Sequence, residues 1–326
     1  MTITRMAVLA AAGLGLTLSG AQAQVFRSSD NHVEAYPTVQ SVKYMSEIMA
    51  KESNGRMSIK VFHSDQLGQE KDVVQQVQFG VIDMSRCSFA ALNNIVPETQ
   101  VLSMPYVFRS IEHMHKVVDG PVGEEIFKAM ESKGFVGLAY YDSGARVFFN
   151  KKHPIKSLED MKGLKLRVQQ SDVAIAMVQA LGANPTPMPP GEVYSAIQTG
   201  VIDGAENNWP SYHSQRFFEQ AKFISETDHQ MQPDVLVMSK KVWDKLSPED
   251  QAIIKKAAKE SVAKNRELWA AREKEARDGV IAGGSQIEPL NDQVRETFAA
   301  TMKPVYDKFV TDDTLKSLVE KIQAVQ

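Results

Sequence analysis

Arg167 is the residue of this chain whose type and placement most invite chemistry. It lies in a short β-like run, Leu164 to Val168, and a helix start follows at Ser171. A guanidinium there presents a planar fork of fixed donors, which matches the two oxygens of a carboxylate. Similar recognition groups stand at other element ends. Arg146 opens an extended, aromatic-rich run to Asn150, Arg86 lies in the short strand Met84-Ser85-Arg86, and Asn207 follows the strand Gly204-Ala205-Glu206.

The motifs of covalent and metal chemistry are missing. The chain contains no GxGxxG after its first strand, and no GxxxxGK[ST], HExxH, CxxC or GxSxG. His113 and His115 are poorly spaced to share a helix face, so they read as solvated rather than as metal ligands. Asp142 and Asp203 could be posed as a glycosidase pair, but no spacing supports that, and structural roles at strand and helix ends explain both. Recognition groups without a nucleophile and base point to a binding protein with no cofactor, not an enzyme.

The elements that would position these groups come as an internal echo. Gly80-Val81-Ile82-Asp83 reappears as Gly200-Val201-Ile202-Asp203. Each copy ends an amphipathic helix, with Val73, Val74 and Val77 on one apolar face and Val193, Ala196 and Ile197 on the other. Each glycine can cap its helix, and a short strand should follow. Met57 to Phe62 and Pro185 to Met188 are strands ahead of the two helices. Further strands are expected at Val136 to Tyr141, Arg146 to Asn150 and Asp234 to Ser239, with helices at Val39 to Met49 and Asp172 to Leu181. Strands alternating with helices imply βαβ units and parallel sheets.

Ser247-Pro248-Glu249-Asp250 is a strong helix start, and no glycine or proline interrupts until about Arg277. Ile253, Ile254, Ala257, Leu268 and Trp269 are its expected core positions. Such a helix can run across two lobes. Ligands of parallel sheets sit beyond the strands' carboxyl ends. That rule selects Asp30 to His32, Gln69 to Lys71, Arg86, Arg146, Arg167 to Gln170, and Asn207 to Trp209 as cleft residues.

Bulk properties agree. The length, 326 residues, suits two lobes. The formal net charge of −3 leaves no basic excess for nucleic acid. Arg5, an apolar run from Met6 to about Leu18, and Ala21-Gln22-Ala23 read as a secretory leader at 1–23, cleaved before Gln24. Its removal would take the charge from −3 to −4. The single cysteine, Cys87, permits no internal disulfide and reads as a buried small hydrophobe.

Further motifs are Met161–Val168 (MKGLKLRV), Gly182–Met188 (GANPTPM), Glu192-Val193-Tyr194 and Gln198–Asn207 (QTGVIDGAEN). Gln66-Leu67-Gly68, Leu102–Phe108 and Tyr141–Arg146 (YDSGAR) join them. In these motifs the chain resembles the substrate-binding proteins of tripartite ATP-independent periplasmic (TRAP) transporters. The resemblance implies a periplasmic receptor of α/β class, a two-lobed periplasmic binding protein fold with hinge strands and a long C-terminal helix spanning both lobes. Lobe I would comprise 24–144 plus 233–272, and lobe II 145–232 plus 273–326. The receptor, expected as a monomer, would close on an organic acid and deliver it to membrane permease subunits.

By the same resemblance Arg167 binds the ligand carboxylate, with Arg146 and Asn207 beside it. The run from His32 through Tyr36-Pro37-Thr38, and Asn207–Tyr212 (NNWPSY), look most like members that bind hexuronic acids such as glucuronate or galacturonate. Glu70, His32, Lys71, Gln169 and Asn207 could serve the hydroxyls of a sugar acid. A four-carbon dicarboxylate would want a second cation, which Lys71 or Arg86 could supply. A periplasmic enzyme acting on the same acids is the rival of another class.

Overall fold

The computed structural model describes residues 23–326; the expected leader lies outside the described residues except for Ala23. In chain order the described strands are β1 (Gln24–Ser29), β2 (Met57–Phe62), β3 (Met84–Ser88), β4 (Phe135–Tyr141), β5 (Arg146–Asn150), β6 (Lys165–Val168), β7 (Asn184–Pro187), β8 (Gly204–Asn207), β9 (Phe223–Gln230), β10 (Asp234–Ser239) and β11 (Gln286–Glu288). They form two sheets. The first has the order β2-β1-β3-β10-β4 and the second β11-β9-β5-β8-β6-β7. The chain passes between sheets at 142–145, from β4 to β5, and at 231–233, from β9 to β10.

The two halves of the echo do form matched units. The helices Glu70–Phe79 and Val193–Thr199 end at Gly80 (φ 79°) and Gly200 (φ 82°), both in the left-handed region that favours glycine. Each is followed by a central strand, β3 in one sheet and β8 in the other. The helix Pro37–Glu52 lies beside β2, and Asp172–Ala180 follows β6.

The sheets are mixed, not parallel throughout. β10 runs antiparallel to β3 and β4, and β5 antiparallel to β8 and β9. The reason is the hinge: β5 and β10 are the strands that arrive from the opposite lobe, so they enter their sheets against the local βαβ direction. Arg146 and Asp234 are the first residues of these two strands, which sets both at the sheet ends nearest the crossover.

The helix Pro248–Ala282 begins with Ser247 accepting from the amide of Asp250, as its sequence requires. It runs past Arg277 and through Gly279 to Ala282, and its C-cap is Gly283. It packs on Pro37–Glu52 and β4 in the first lobe and on Trp209–Ser214 in the second. Ile254, Ala257 and Trp269 are buried on it, whereas Ile253 and Leu268 are only half-buried.

One expectation about the lobes needs correcting. The C-terminal stretch does not stay with lobe II. Lys303–Phe309 packs on Asp172–Ala180, but Asp313–Ala324 returns to Pro121–Glu131, which covers β4. His113 Nε2 meets the carbonyl of Ile322 at 2.9 Å, and Lys321 pairs with Glu125 at 2.6 Å. His113 is therefore a buried packing residue, not a solvated one. His115 pairs with Asp142 at 2.6 Å, and Asp203 accepts from the amide of Lys165 at 2.9 Å, so both aspartates hold structure.

Phe26, Met45, Met84, Leu236 and Ile254 form one apolar core, and Val147, Ile202, Trp209, Ile224 and Val280 another. A third and larger core includes Phe89, Cys87 and Val237 from the first lobe with Phe148, Leu166 and Met177 from the second. Apolar contact thus ties the lobes together on one side.

Candidate ligand-binding site

The space between the sheets amounts to roughly 650 Å3, part of it open to solvent; small-molecule sites usually occupy about 300–1,000 Å3. His32, Glu70, Lys71, Arg86, Arg146, Arg167, Gln169 and Asn207, all expected at the cleft, line it. Trp209 does not. It is buried beneath the Arg277 guanidinium, 4.4 Å from the ring centroid, and Asn208 and Ser211 face the cleft in its place.

The second-lobe wall holds two guanidinium groups in opposite electrostatic states. Arg146 is buried and saturated by one acid. Its Nε and Nη2 donate to the two oxygens of Glu206, the latter at 2.9 Å, and Nη2 also reaches the Glu206 carbonyl at 3.1 Å. Phe148 lies opposite Glu206 in the β5–β8 pairing, so Arg146 is the diagonal neighbour of Glu206 on one sheet face. Burial pushes the Glu206 carboxyl up, but Arg146 and His229 outweigh it and hold the carboxyl down at about 2.

Arg167 is equally buried, at 4% exposure, and makes no ion pair among the described residues. Its Nε donates to the carbonyl of Met188 at 2.9 Å, which fixes the fork. Both Nη groups are left without acceptors among the described residues. Burial pulls its pKa down to about 10, against the attraction of Glu206 and with the repulsion of Arg146. A buried cation of this kind is costly unless an anion meets it.

Asn207 completes this wall. Its Oδ1 accepts from Arg146 Nη1 at 3.1 Å and from the Asn208 amide at 2.8 Å. The amide orientation is thereby set, and Nδ2 remains as a donor with no partner among the described residues.

The first-lobe wall is acidic. Arg86 lies at its centre, 2% exposed, and donates to Asp30 (Nε at 3.0 Å, and Nη2), to Glu70 at 3.4 Å and to Asp234 at 3.3 Å. Its Nη2 also reaches Asn31. One cation thus faces three carboxyls, so Arg86 is fully engaged and cannot act as a free second anchor. Glu70 is further held by the amide of Ser88 at 3.0 Å and its hydroxyl at 3.2 Å. Burial pushes the Asp234 carboxyl up to about 7; Arg86 opposes this while Glu70 and Asp30 add to it. Lys71 is exposed at the rim.

His32 stacks on Tyr36 with ring centroids 3.7 Å apart, and its Nδ1 is buried without a partner. Burial, then the charge of Arg86, lowers its pKa to about 3, so the ring is neutral. Among the described residues no aromatic side chain apart from His32 lines the cleft; Met188, Pro189, Pro190, Ala90 and Ala91 give it a small apolar surface.

The two walls touch. Gln169 donates to Ser88 at 3.1 Å, Asn93 to Ser171 at 3.1 Å, and the Tyr36 hydroxyl meets Ser211 at 2.8 Å and Asn208 at 3.2 Å. Ser171, expected simply to start a helix, spends its hydroxyl on this bridge and makes no side-chain cap. Sequence reading missed Glu206 and Asp234, the acids that decide which arginine is free. Both lay in strands that had been anticipated, and a search for acids beside each candidate cation would have raised Glu206.

Two facing α/β lobes, a long helix touching both and a cleft furnished with recognition groups define a bacterial solute-binding protein. The family model for bacterial extracellular solute-binding protein, family 7, matches residues 28–313, and the chain belongs to this family of TRAP-type receptors. Solved structures agree in fold. A TRAP periplasmic solute-binding protein from Bradyrhizobium sp. BTAi1, in complex with α/β-D-galacturonate, is 55% identical with a TM-score of 0.90, covering 92% of this chain and 99% of that one. One from Xanthobacter autotrophicus Py2, with bound β-D-galacturonate, is 47% identical with a TM-score of 0.90 over 92% of this chain and 100% of that one. One from Chromohalobacter salexigens, with bound D-glucuronate, is 35% identical with a TM-score of 0.90 over 92% and 100%.

Proposed function

We propose that this protein is a periplasmic receptor for a hexuronate, D-galacturonate or D-glucuronate, which it passes to the permease subunits of a TRAP transporter. The observation that carries the reading is the electrostatic vacancy at Arg167. Arg146 is neutralised by Glu206 and Arg86 is outnumbered by acids, so the cleft walls offer one buried, unneutralised guanidinium. That demand is met by a ligand with one carboxylate. The opposite wall is rich in acceptors and repels a second carboxylate, but it suits the hydroxyls of a sugar ring. The ligands of the solved relatives have this composition: one carboxylate and several hydroxyls.

A four-carbon dicarboxylate fits less well, because its far carboxylate would face Glu70 and Asp234, with Arg86 already shared among three acids and Lys71 at the rim. The scarcity of aromatic rings along the cleft disfavours aromatic acids. The protein acts by closure and is not an enzyme in this reading. Ligand bridges the two walls and selects the state in which both touch it. The apolar leader ahead of Gln24 supports export to the periplasm.

A thermal-shift panel of uronates, four-carbon dicarboxylates and aromatic acids tests the reading. Ligand at about a thousand times its Kd adds about 4 kcal/mol of stability. A shift with uronates alone is expected. A shift with succinate and none with uronates would overturn the assignment, and turnover of a uronate would overturn the receptor role.

A further inference from the structure

We propose that Asp234 is a specificity-determining residue, reading a hydroxyl of the bound acid and barring a second carboxylate from the end of the cleft opposite Arg167. The inference rests on the sugar-acid reading given above.

Three observations carry it. Asp234 is the first residue of β10, opposite Ser88 and diagonal to Arg86 on one face, so the sheet register turns its side chain to the cleft it lines. It is 3% exposed, yet only one of its oxygens is used: Oδ2 accepts from Arg86 Nη1 at 3.3 Å, and Oδ1 accepts nothing among the described residues. Its neighbours in the acidic wall are better satisfied. Asp30 takes Arg86, Thr38 and the His32 amide, and Glu70 takes Arg86 and both donors of Ser88.

Oδ1 therefore faces the cleft with no donor from the described residues, and a ligand hydroxyl is such a donor once closure strips solvent from it. A ligand carboxylate brings no proton to give and adds a fourth acid around one arginine. When ionised, above about pH 7, Asp234 therefore rewards a hydroxyl and penalises an anion at the same place.

The test compares D-galacturonate with galactarate, the aldaric acid of the same carbon frame, by calorimetry on wild type, Asp234→Asn and Asp234→Ser. The ratio of the two affinities is read within each protein, so a partly unfolded variant lowers both and leaves the ratio intact. Wild type is expected to prefer galacturonate. Either variant is expected to move the ratio about tenfold or more toward galactarate, which corresponds to about 1.4 kcal/mol. Wild type that binds galacturonate, together with variants that keep the wild-type ratio, would overturn the role of Asp234 and leave the sugar-acid reading standing. Wild type that binds neither acid, nor D-glucuronate, would overturn both.

Discussion

Glu206 engages Arg146 through both carboxylate oxygens, and that relationship leaves Arg167 as the buried cleft guanidinium without an ion pair among the described residues. The two arginines share one wall of the cleft and similar burial, but only one has spent its charge. A site that kept both free would hold a net double positive charge and would suit a dianion. This one suits a monocarboxylate.

Replacing Arg167 therefore removes the anchor we propose. A charge-assisted bidentate contact contributes about 1.5–3 kcal/mol, so Arg167→Ala is expected to weaken uronate binding at least about tenfold. Arg167→Lys should also bind poorly, because a point charge replaces the fork. The unliganded alanine variant should melt no lower than wild type, since a buried unpaired cation has been removed. Calorimetry and thermal melting check the two halves of this expectation separately.

Glu206→Gln tests the pairing from the other side. Breaking a buried ion pair typically costs about 3–5 kcal/mol, so the unliganded variant should melt well below wild type. Ligand should then recover more stability than in wild type, because its carboxylate meets two unneutralised guanidinium groups. The ligand-induced rise in Tm, compared at equal saturation, measures this.

The bridge at Tyr36 is expected to act on closure alone. Its hydroxyl reaches Ser211 and Asn208 across the cleft, and a hydrogen bond of this kind contributes about 0.5–1.5 kcal/mol net. Tyr36→Phe should raise the dissociation rate severalfold in stopped-flow measurements while the unliganded melt changes little.

Stability against pH should show two opposing slopes. Glu206 has its carboxyl lowered from 4.5 to about 2 in the fold, so its contribution is complete above 4.5 and is lost as pH falls through about 2. Asp234 has its carboxyl raised from 3.8 to about 7, and Asp65 from 3.8 to about 6, mainly by burial. Their contributions are complete below 3.8 and are lost as pH rises through about 6 and 7. The unliganded protein should thus be most stable at mildly acidic pH, and Asp234→Asn should flatten the decline on the alkaline side. Melting curves across this range decide it.

Much of this architecture is legible in the sequence because it is local. Gly80 and Gly200 announce helix ends by their need for positive φ, and Ser247-Pro248 announces the long helix by capping chemistry. The cleft residues follow from the rule that ligands meet the carboxyl ends of strands. What stayed hidden depends on distant pairing. The antiparallel entry of β5 and β10 is decided by the hinge, not by any residue within either strand. Arg146 and Glu206 are 60 residues apart, and Arg86 and Asp234 148 apart, so no periodicity links them. The return of Asp313–Ala324 to lobe I likewise rests on contacts such as Lys321 with Glu125, which composition cannot reveal. β1 is faint in the sequence because the apolar residues of Gln24–Ser29 are only Val25 and Phe26, and the segment abuts the leader.

The central claim is that one buried guanidinium, Arg167, selects ligands by a single carboxylate. The most direct measurement is calorimetric titration of the wild-type protein with D-galacturonate and with D-galactose, the same ring without the acid. Saturable binding of galacturonate and no detectable binding of galactose is the result predicted here; comparable affinity for both sugars would contradict it.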